Sequence, residues 1–414
     1  MVFKMLLYLL VALYFFVFGN WILSFTSLDE GRNMDAVKNM IETGNYLIPF
    51  YNCQERFEKP PLLYWLVILS SKLFGLNEFS ARLVSGLSAL GVSFLTYKVA
   101  KEFFNEEVGI RAFLVSLLFI HYWIEARAVV PEMTLTFFML LGLYLFLKER
   151  FTLGWIALSL AFLTKGPVGV LLPSVVYLIF RRNLRFLNLR GVLIFLLLGG
   201  SWYYLMLFKY GYEYFYKFFI YENLMRFTGE RKTHPYPFWY YIPVILTSTL
   251  FFVPKYKKLL SLDRRFLPFL GWFAFVVLFF SLSHNKLHHY ILFAYPPLAV
   301  MFGYLTDLRY LKKALALGAV FLFLLSTLLF LFEKSRFVPK AFPIVKSYKG
   351  DAYFYRAESS ALVYYSGRCI PFASDTQVRG IVITKEKYES LFNNCERLVK
   401  GKEFEGEYVL LHCR

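Results

Sequence analysis

Residues 28–65, LDEGRNMDAVKNMIETGNYLIPFYNCQERFEKPPLLYW, decide how the chain is read. They follow an uncharged run of 24 residues, Met5 to Leu28. They place Asp29, Glu30, Arg32, Asp35, Glu58 and Lys59 between hydrocarbon-seeking segments. Charge beside a membrane is costly unless it is wet, paired or useful. The stretch closes on Glu58-Lys59-Pro60-Pro61, where two prolines force an extended backbone and so fix the acid and the base. Residues 30–43 predict an amphipathic helix with Asp29 as its N-cap and Gly44 at its end.

Hydrophobic residues make up 58% of the chain and aromatics 21%, a balance that excludes an ordinary soluble domain. Apolar runs near 5–27, 81–103, 108–126, 131–147, 151–164, 167–180, 191–208, 237–253, 266–282, 290–305 and 314–332 predict about eleven transmembrane helices. The shortest of these, 151–164 and 167–180, are of re-entrant length. The first run is too long for a signal-peptide core and reads as a retained anchor. A formal charge of +18 would suggest nucleic acid in a soluble protein. Here the basic residues fall in alternate loops, the pattern of cytoplasmic loops, which puts the N-terminus inside and removes nucleic acid as a partner. Membrane lipid is the remaining anionic surface.

The fold class expected is an α-helical polytopic membrane protein with amphipathic juxtamembrane helices and a small extracytoplasmic α/β domain. The membrane domain would occupy 1–332, with outer loops at 28–61 and 209–236, and the tail 333–414. In that tail, 380–383 and 408–411 read as strands, 359–365 as helix, and 385–392 as a helix capped by Thr384. Cys53, Cys369, Cys395 and Cys413 all fall on the outer side, where disulfides are permitted. Spacing leaves free thiols and a tail bond such as Cys369–Cys395 equally open.

The unusual polar residues collect on that same face, as expected of a site working on a lipid-linked headgroup. Asp29, alongside Glu30, is a candidate general base, since low dielectric raises a carboxyl pKa. Lys59 and Lys165, the latter before Gly166-Pro167, are candidate phosphate ligands or snorkelling side chains. Glu58 is a candidate metal ligand. Arg127 and Glu132 flank Pro131, either as a polar turn or as site residues. The aromatic loop 209–236 contains Glu222, Asn223 and Arg226 within a belt of interfacial rings. Histidines 284, 288 and 289 invite a metal, but the adjacent pair His288-His289 is not at helical i, i+4 spacing, and the run reads as structural or interfacial.

With these residues in hand, the chain resembles the GT-C membrane glycosyltransferases, in the branch of the protein O-mannosyltransferases and lipid A aminoarabinose transferases. The matching pieces, in order, are Asp29-Glu30-Gly31-Arg32, Phe57 through Trp65, Pro131-Glu132 after Arg127, Phe162 through Pro167, Tyr221 through Phe227, and Lys286 through Pro297. The resemblance implies the GT-C fold and an inverting transfer of a sugar from a polyprenyl monophosphate at the outer face of a bacterial inner membrane. Asp29 and Glu132 would be the family's two acidic positions. Arg32, Lys59, Lys165 and Arg127 would hold the donor phosphate. Glu222, Asn223, Arg226 and Tyr290 would contact sugar or acceptor. Paired cations stabilise a phosphate leaving group without a required cofactor.

Two positions depart from the pattern. Asn223 stands where lipid A transferases tend to have His, and Glu132 where Asp is usual. Both weaken a divalent metal, for which Glu58 remains the ligand. The acceptors to weigh are lipid A, receiving aminoarabinose or another sugar such as a uronic acid, and a protein Ser/Thr or other envelope glycan. A lipid-linked-sugar flippase is the alternative of another class. It should show inverted repeats and mid-membrane breaks, and the sequence displays neither.

Overall fold

The structure, a computed structural model, describes residues 2–231 and 233–414. The chain divides into two compact units. The first comprises Met1–Phe18, Phe57–Leu63 and Leu83–Phe321; the second comprises Gly19–Arg56, Tyr64–Arg82 and Leu322–Arg414. This division groups residues 19–56 and 64–82 with the tail, whereas the sequence reading has a single boundary after 332. The tail gathers to itself the loop after the first helix, and a covalent bond described below is one reason.

The first unit is helical. Among the described residues, three helices are long and apolar enough to cross a bilayer: Glu78–Phe103, Arg264–Leu282 and Leu308–Glu333. Leu189–Gly199 with Ser201–Thr228, bent by 48°, makes a fourth if taken as one span. Other apolar helices, such as Glu132–Leu147 and Phe151–Lys165, run to 10–17 residues. Eleven apolar runs thus do not become eleven long helices, because backbone breaks interrupt them. The run 108–126 splits into Glu106–Ser116 and Ile120–Glu125. The run 290–305 begins as a 3-10 turn, His288–Ala294, before Tyr295–Leu305. The first helix, Val2–Val17, stops ahead of Gly19, whose φ of 84° only glycine adopts easily.

The hairpin of Glu132–Leu147 and Phe151–Lys165 is the part of this unit that matters most for chemistry. Sixteen and fifteen residues are joined by a short turn in which Glu149 takes φ 58°. Nearly equal lengths and a tight turn bring the start of one helix beside the end of the other. The two pack closely because Gly142 lies against Leu158 and Gly154 against Phe146. A Cβ at either glycine would come within 2.3 Å of those side chains.

The second unit carries the four-stranded sheet. With Phe50–Tyr51 as β1 and Gln54–Glu55 as β2, a small hairpin, the sheet strands are β3 (Ala352–Tyr355), β4 (Gly380–Lys385), β5 (Cys395–Glu403) and β6 (Gly406–Cys413). Their order is β3-β4-β6-β5, with β3 and β4 parallel and the other pairs antiparallel. The parallel pair needs a crossover, which the helix Ser360–Ser366 supplies. Tyr355, Val382, Phe392, Val409 and Leu411 form a buried cluster on the sheet. The expected strands and the 359–365 helix are present. Thr384, expected to cap a helix, is instead the fifth residue of β4 and donates to Tyr355 O at 2.8 Å. The segment after it, Glu386–Leu391, is a 3-10 helix.

The helix Leu28–Thr43 belongs to this unit and packs on Ser360–Ser366. Gly31 makes the approach possible, since a Cβ there would lie 2.4 Å from Ala361 N. The N-cap is Ser27 and not Asp29: Ser27 Oγ accepts from Glu30 N at 3.1 Å. Gly44 ends the helix with φ 70°, as expected. The disulfides are Cys53–Cys369 and Cys395–Cys413, and among the described residues no cysteine is free. The Cys369–Cys395 pairing is thereby corrected. Cys395 and Cys413 are register partners on β5 and β6, and Cys369 reaches the turn after β1, where Asn52 also exchanges hydrogen bonds with Ile370.

Candidate active site

In the first unit, a buried acid–base cluster surrounds Glu132. Pro131 opens the helix and puts Glu132 in its first turn, where the helix dipole favours an anion. Lys165 ends the partner helix, where a cation is favoured. The hairpin brings them together: Lys165 Nζ lies 2.5 Å from Glu132 Oε1. His289 Nε2 sits 3.3 Å from the same oxygen. The Tyr290 ring lies under Lys165, with Nζ 4.6 Å from its centroid. Lys59 acts electrostatically on the Glu132 carboxylate. Glu132 Oε2 is buried without a hydrogen-bond partner. One carboxylate, two lysines and an aromatic face are thus assembled from four separate stretches of sequence.

Other anticipated residues of this unit are placed differently. Arg127 directs its guanidinium at main-chain carbonyls: Phe15 at 2.9 Å, Phe18 at 2.7 Å and Trp123 at 2.9 Å. It ties off the end of the first helix. Glu222 forms ion pairs with Arg226 (3.3 Å) and Arg231, and Asn223 donates to Phe218 O at 2.6 Å. Glu58 lies exposed in its loop. Lys286 is buried and donates to Tyr236 O at 3.0 Å and to Ser283 O; burial lowers its pKa.

Asp29, Glu30 and Arg32 lie in the second unit, at the start of Leu28–Thr43. Asp29 is half-buried in the first turn. Glu30 is buried in a bidentate pair with Arg82, both contacts at 2.9 Å. It also accepts from Thr26 N at 2.9 Å. Arg82 donates further to Asn20 O and Leu23 O in the loop that follows the first helix. Arg32 pairs with Glu358 through Nε at 3.2 Å and Nη2 at 2.7 Å. Tyr51 donates to the same carboxylate at 2.6 Å. Asp35 accepts from Asn52 N at 2.9 Å, and burial raises its pKa.

Reading the sequence missed several of these partners. Arg82 and Glu358 are lone charges far from Glu30 and Arg32 in sequence and gave no signal. His121 and Glu125 did: they stand at i, i+4 on one helix turn. Among the described residues, the one group of three or more His, Cys, Asp or Glu side chains close enough to share an ion is His121, Glu125 and His288. Glu58 is not part of it.

The family model described as dolichyl-phosphate-mannose-protein mannosyltransferase matches residues 58–205. An undecaprenyl phosphate-alpha-4-amino-4-deoxy-L-arabinose arabinosyl transferase 2 of Pseudomonas fluorescens is 30% identical over 70% of this chain. The crystal structure of ArnT from Cupriavidus metallidurans bound to undecaprenyl phosphate superposes with a TM-score of 0.81, covering 99% of this chain and 98% of that one at 19% identity. The chain belongs to the ArnT-like GT-C membrane glycosyltransferases. An uncharacterized protein of Aquifex aeolicus is 52% identical over 97% of both chains. The chain spans 57% of the Pseudomonas transferase's length. Within this GT-C chain, the matched span 58–205 holds Glu58, Lys59, Arg127, Glu132 and Lys165. Asp29 and residues 222–226 fall outside it.

Proposed function

We propose that the chain is an inverting glycosyltransferase moving a sugar from a polyprenyl-phosphate donor to lipid A at the outer face of the inner membrane. The observation that carries this is the Glu132–Lys165–His289 cluster, with Lys59 acting on it, in the residues the family model matches. The names of the relatives support an undecaprenyl-phosphate aminopentose as donor. The acceptor oxygen attacks the anomeric carbon from the face opposite the phosphate, the C–O bond to phosphate breaks, and polyprenyl phosphate leaves as an anion. Lys59 and Lys165 stabilise that developing charge. Glu132 holds Lys165 in place. A lipid A phosphate is already a nucleophile, so Asp29 orients donor or acceptor; for a hydroxyl acceptor it would serve as base. Arg127 is engaged by main-chain carbonyls and Arg32 by the Glu358 carboxylate.

Two further observations favour this setting. The disulfides suit an oxidising compartment. The charge bias of the loops suits a cytoplasmic N-terminus, with the tail in the periplasm. Mass spectrometry of lipid A from cells with the gene, without it, and with Asp29→Asn tests the proposal. A sugar absent from both the deletion and the point variant supports it. Unchanged lipid A in all three refutes lipid A as acceptor. The second reading, transfer to protein Ser/Thr, draws on the family model's description. Glycoproteomics of the same cells tests it.

A further inference from the structure

The histidine run after residue 283 joins a second element of the first unit in a way the transfer chemistry does not use. His121 and Glu125 project from the helix Ile120–Glu125, and His288 opens the 3-10 turn His288–Ala294. Three potential ligand atoms meet. His121 Nε2 and His288 Nδ1 are 3.0 Å apart, His288 Nδ1 and Glu125 Oε1 3.3 Å, and His121 Nε2 and Glu125 Oε1 3.7 Å. Tetrahedral zinc with bonds of about 2.0–2.2 Å requires ligand atoms roughly 3.3–3.6 Å apart. The three spacings straddle that value and so outline one face of such a tetrahedron.

The surroundings point to an ion as well. Glu125 is 2% exposed, and its Oε2 is buried with no hydrogen-bond partner. A carboxylate so buried, facing imidazoles, is expensive unless a cation meets it. The far nitrogen of His121, Nδ1, lies 2.9 Å from Tyr295 Oη. An Nδ1–H donated to that oxygen leaves Nε2 bare for a metal, and such an outer partner is what orients ligating histidines. The His288 side chain is 46% exposed, so ions have a route in and a fourth position remains for water.

We propose that His121, Glu125 and His288 bind one divalent transition metal of the zinc class, with water completing the shell. The ion neutralises Glu125 and pins the His288 turn to the helix Ile120–Glu125. His289, the next residue, is thereby held 3.3 Å from Glu132. The metal is a positioning element and takes no part in bond making.

The test uses the full-length chain in detergent, purified through a tag without histidine. Elemental analysis should find about one zinc per chain. After stripping and reloading with cobalt(II), the visible absorption of tetrahedral cobalt should appear. His288→Ala and Glu125→Gln should lose both signals, while His412→Ala, on the tail sheet, keeps them. His288→Cys covers the chance that the first two fail to fold: it should retain cobalt and add a thiolate charge-transfer band. Wild type that neither contains a metal nor takes up cobalt overturns the proposal. Equal binding by His288→Ala and Glu125→Gln also overturns it, because the ion then lies elsewhere.

Discussion

Asp29 and Glu30 are neighbours, and the proposed function together with the Glu30–Arg82 pair predicts that they fail in opposite ways when neutralised. Glu30 is 1% exposed and locked to Arg82 by two contacts of 2.9 Å. Removing one partner of a buried pair leaves an uncompensated charge and costs about 3–5 kcal/mol. At about 2–4 °C per kcal/mol, Glu30→Leu or Arg82→Met alone should lower the melting temperature by roughly 6–20 °C. The double variant should recover most of this, because two apolar side chains replace both charges. It retains a deficit of about 1–3 kcal/mol, since Asn20 O and Leu23 O lose the Arg82 donors. Asp29→Asn, at a half-buried position outside that pair, should cost less stability than either single variant. It should nevertheless cut sugar transfer by about 100-fold or more. The assays are tryptophan-fluorescence melting of the detergent-purified chain and transfer from a polyprenyl-phosphate sugar. Single variants that melt like wild type, or a double variant as unstable as the sum of the singles, would refute the structural role of Glu30. A fully stable, inactive Glu30→Gln beside an active Asp29→Asn would exchange the two assignments.

Lys165→Ala removes the cation 2.5 Å from Glu132 and should lower turnover by about 100-fold or more, with Lys165→Arg failing to restore it, as kinetics on the donor lipid would show. Gly31→Ala drives a Cβ to 2.4 Å from Ala361 N and should cost about 1–3 kcal/mol in the same melting assay. Peptide mapping without reductant should recover Cys53–Cys369 and Cys395–Cys413, and Cys53→Ser should destabilise by about 2–5 kcal/mol. Asp35 has its pKa raised by burial, so its native state binds more protons than the unfolded chain and stability drains away as pH rises through the folded value. Asp35→Asn keeps an acceptor for Asn52 and should flatten that slope, which melting temperatures taken from acid to neutral pH would reveal.

Local patterns carried much of this architecture. Gly44, the strands around Ile381–Ile383 and Val409–Leu411, and the helix near 360–366 follow from periodicity and end signals that a few neighbouring residues contain. Lys165 and Glu132 stood out because charge beside apolar helices is expensive. Their mutual contact was not legible, since it depends on nearly equal helix lengths and two glycines at the crossing. The first helix was overread because hydropathy is blind to a positive φ at Gly19. Glu358, Arg82 and the Cys53–Cys369 bond join residues dozens to hundreds of positions apart, a distance over which no local spacing rule operates.

That last bond has a consequence in time. Its two cysteines are 316 residues apart, whereas Cys395 and Cys413 are separated by 18. At about 5–20 residues per second, roughly 15–60 s of synthesis elapse between them. Throughout that interval Cys53 is a thiol awaiting its mate, and the helix bearing Asp29 lacks Ser360 and Ala361, against which Gly31 later packs. A ribosome that stalls between the last membrane helix and Cys369 therefore leaves a chain with its membrane helices complete and its first loop unfastened. The arrival of Ser360, Ala361 and Cys369, and not the end of the membrane helices, is what fastens that loop.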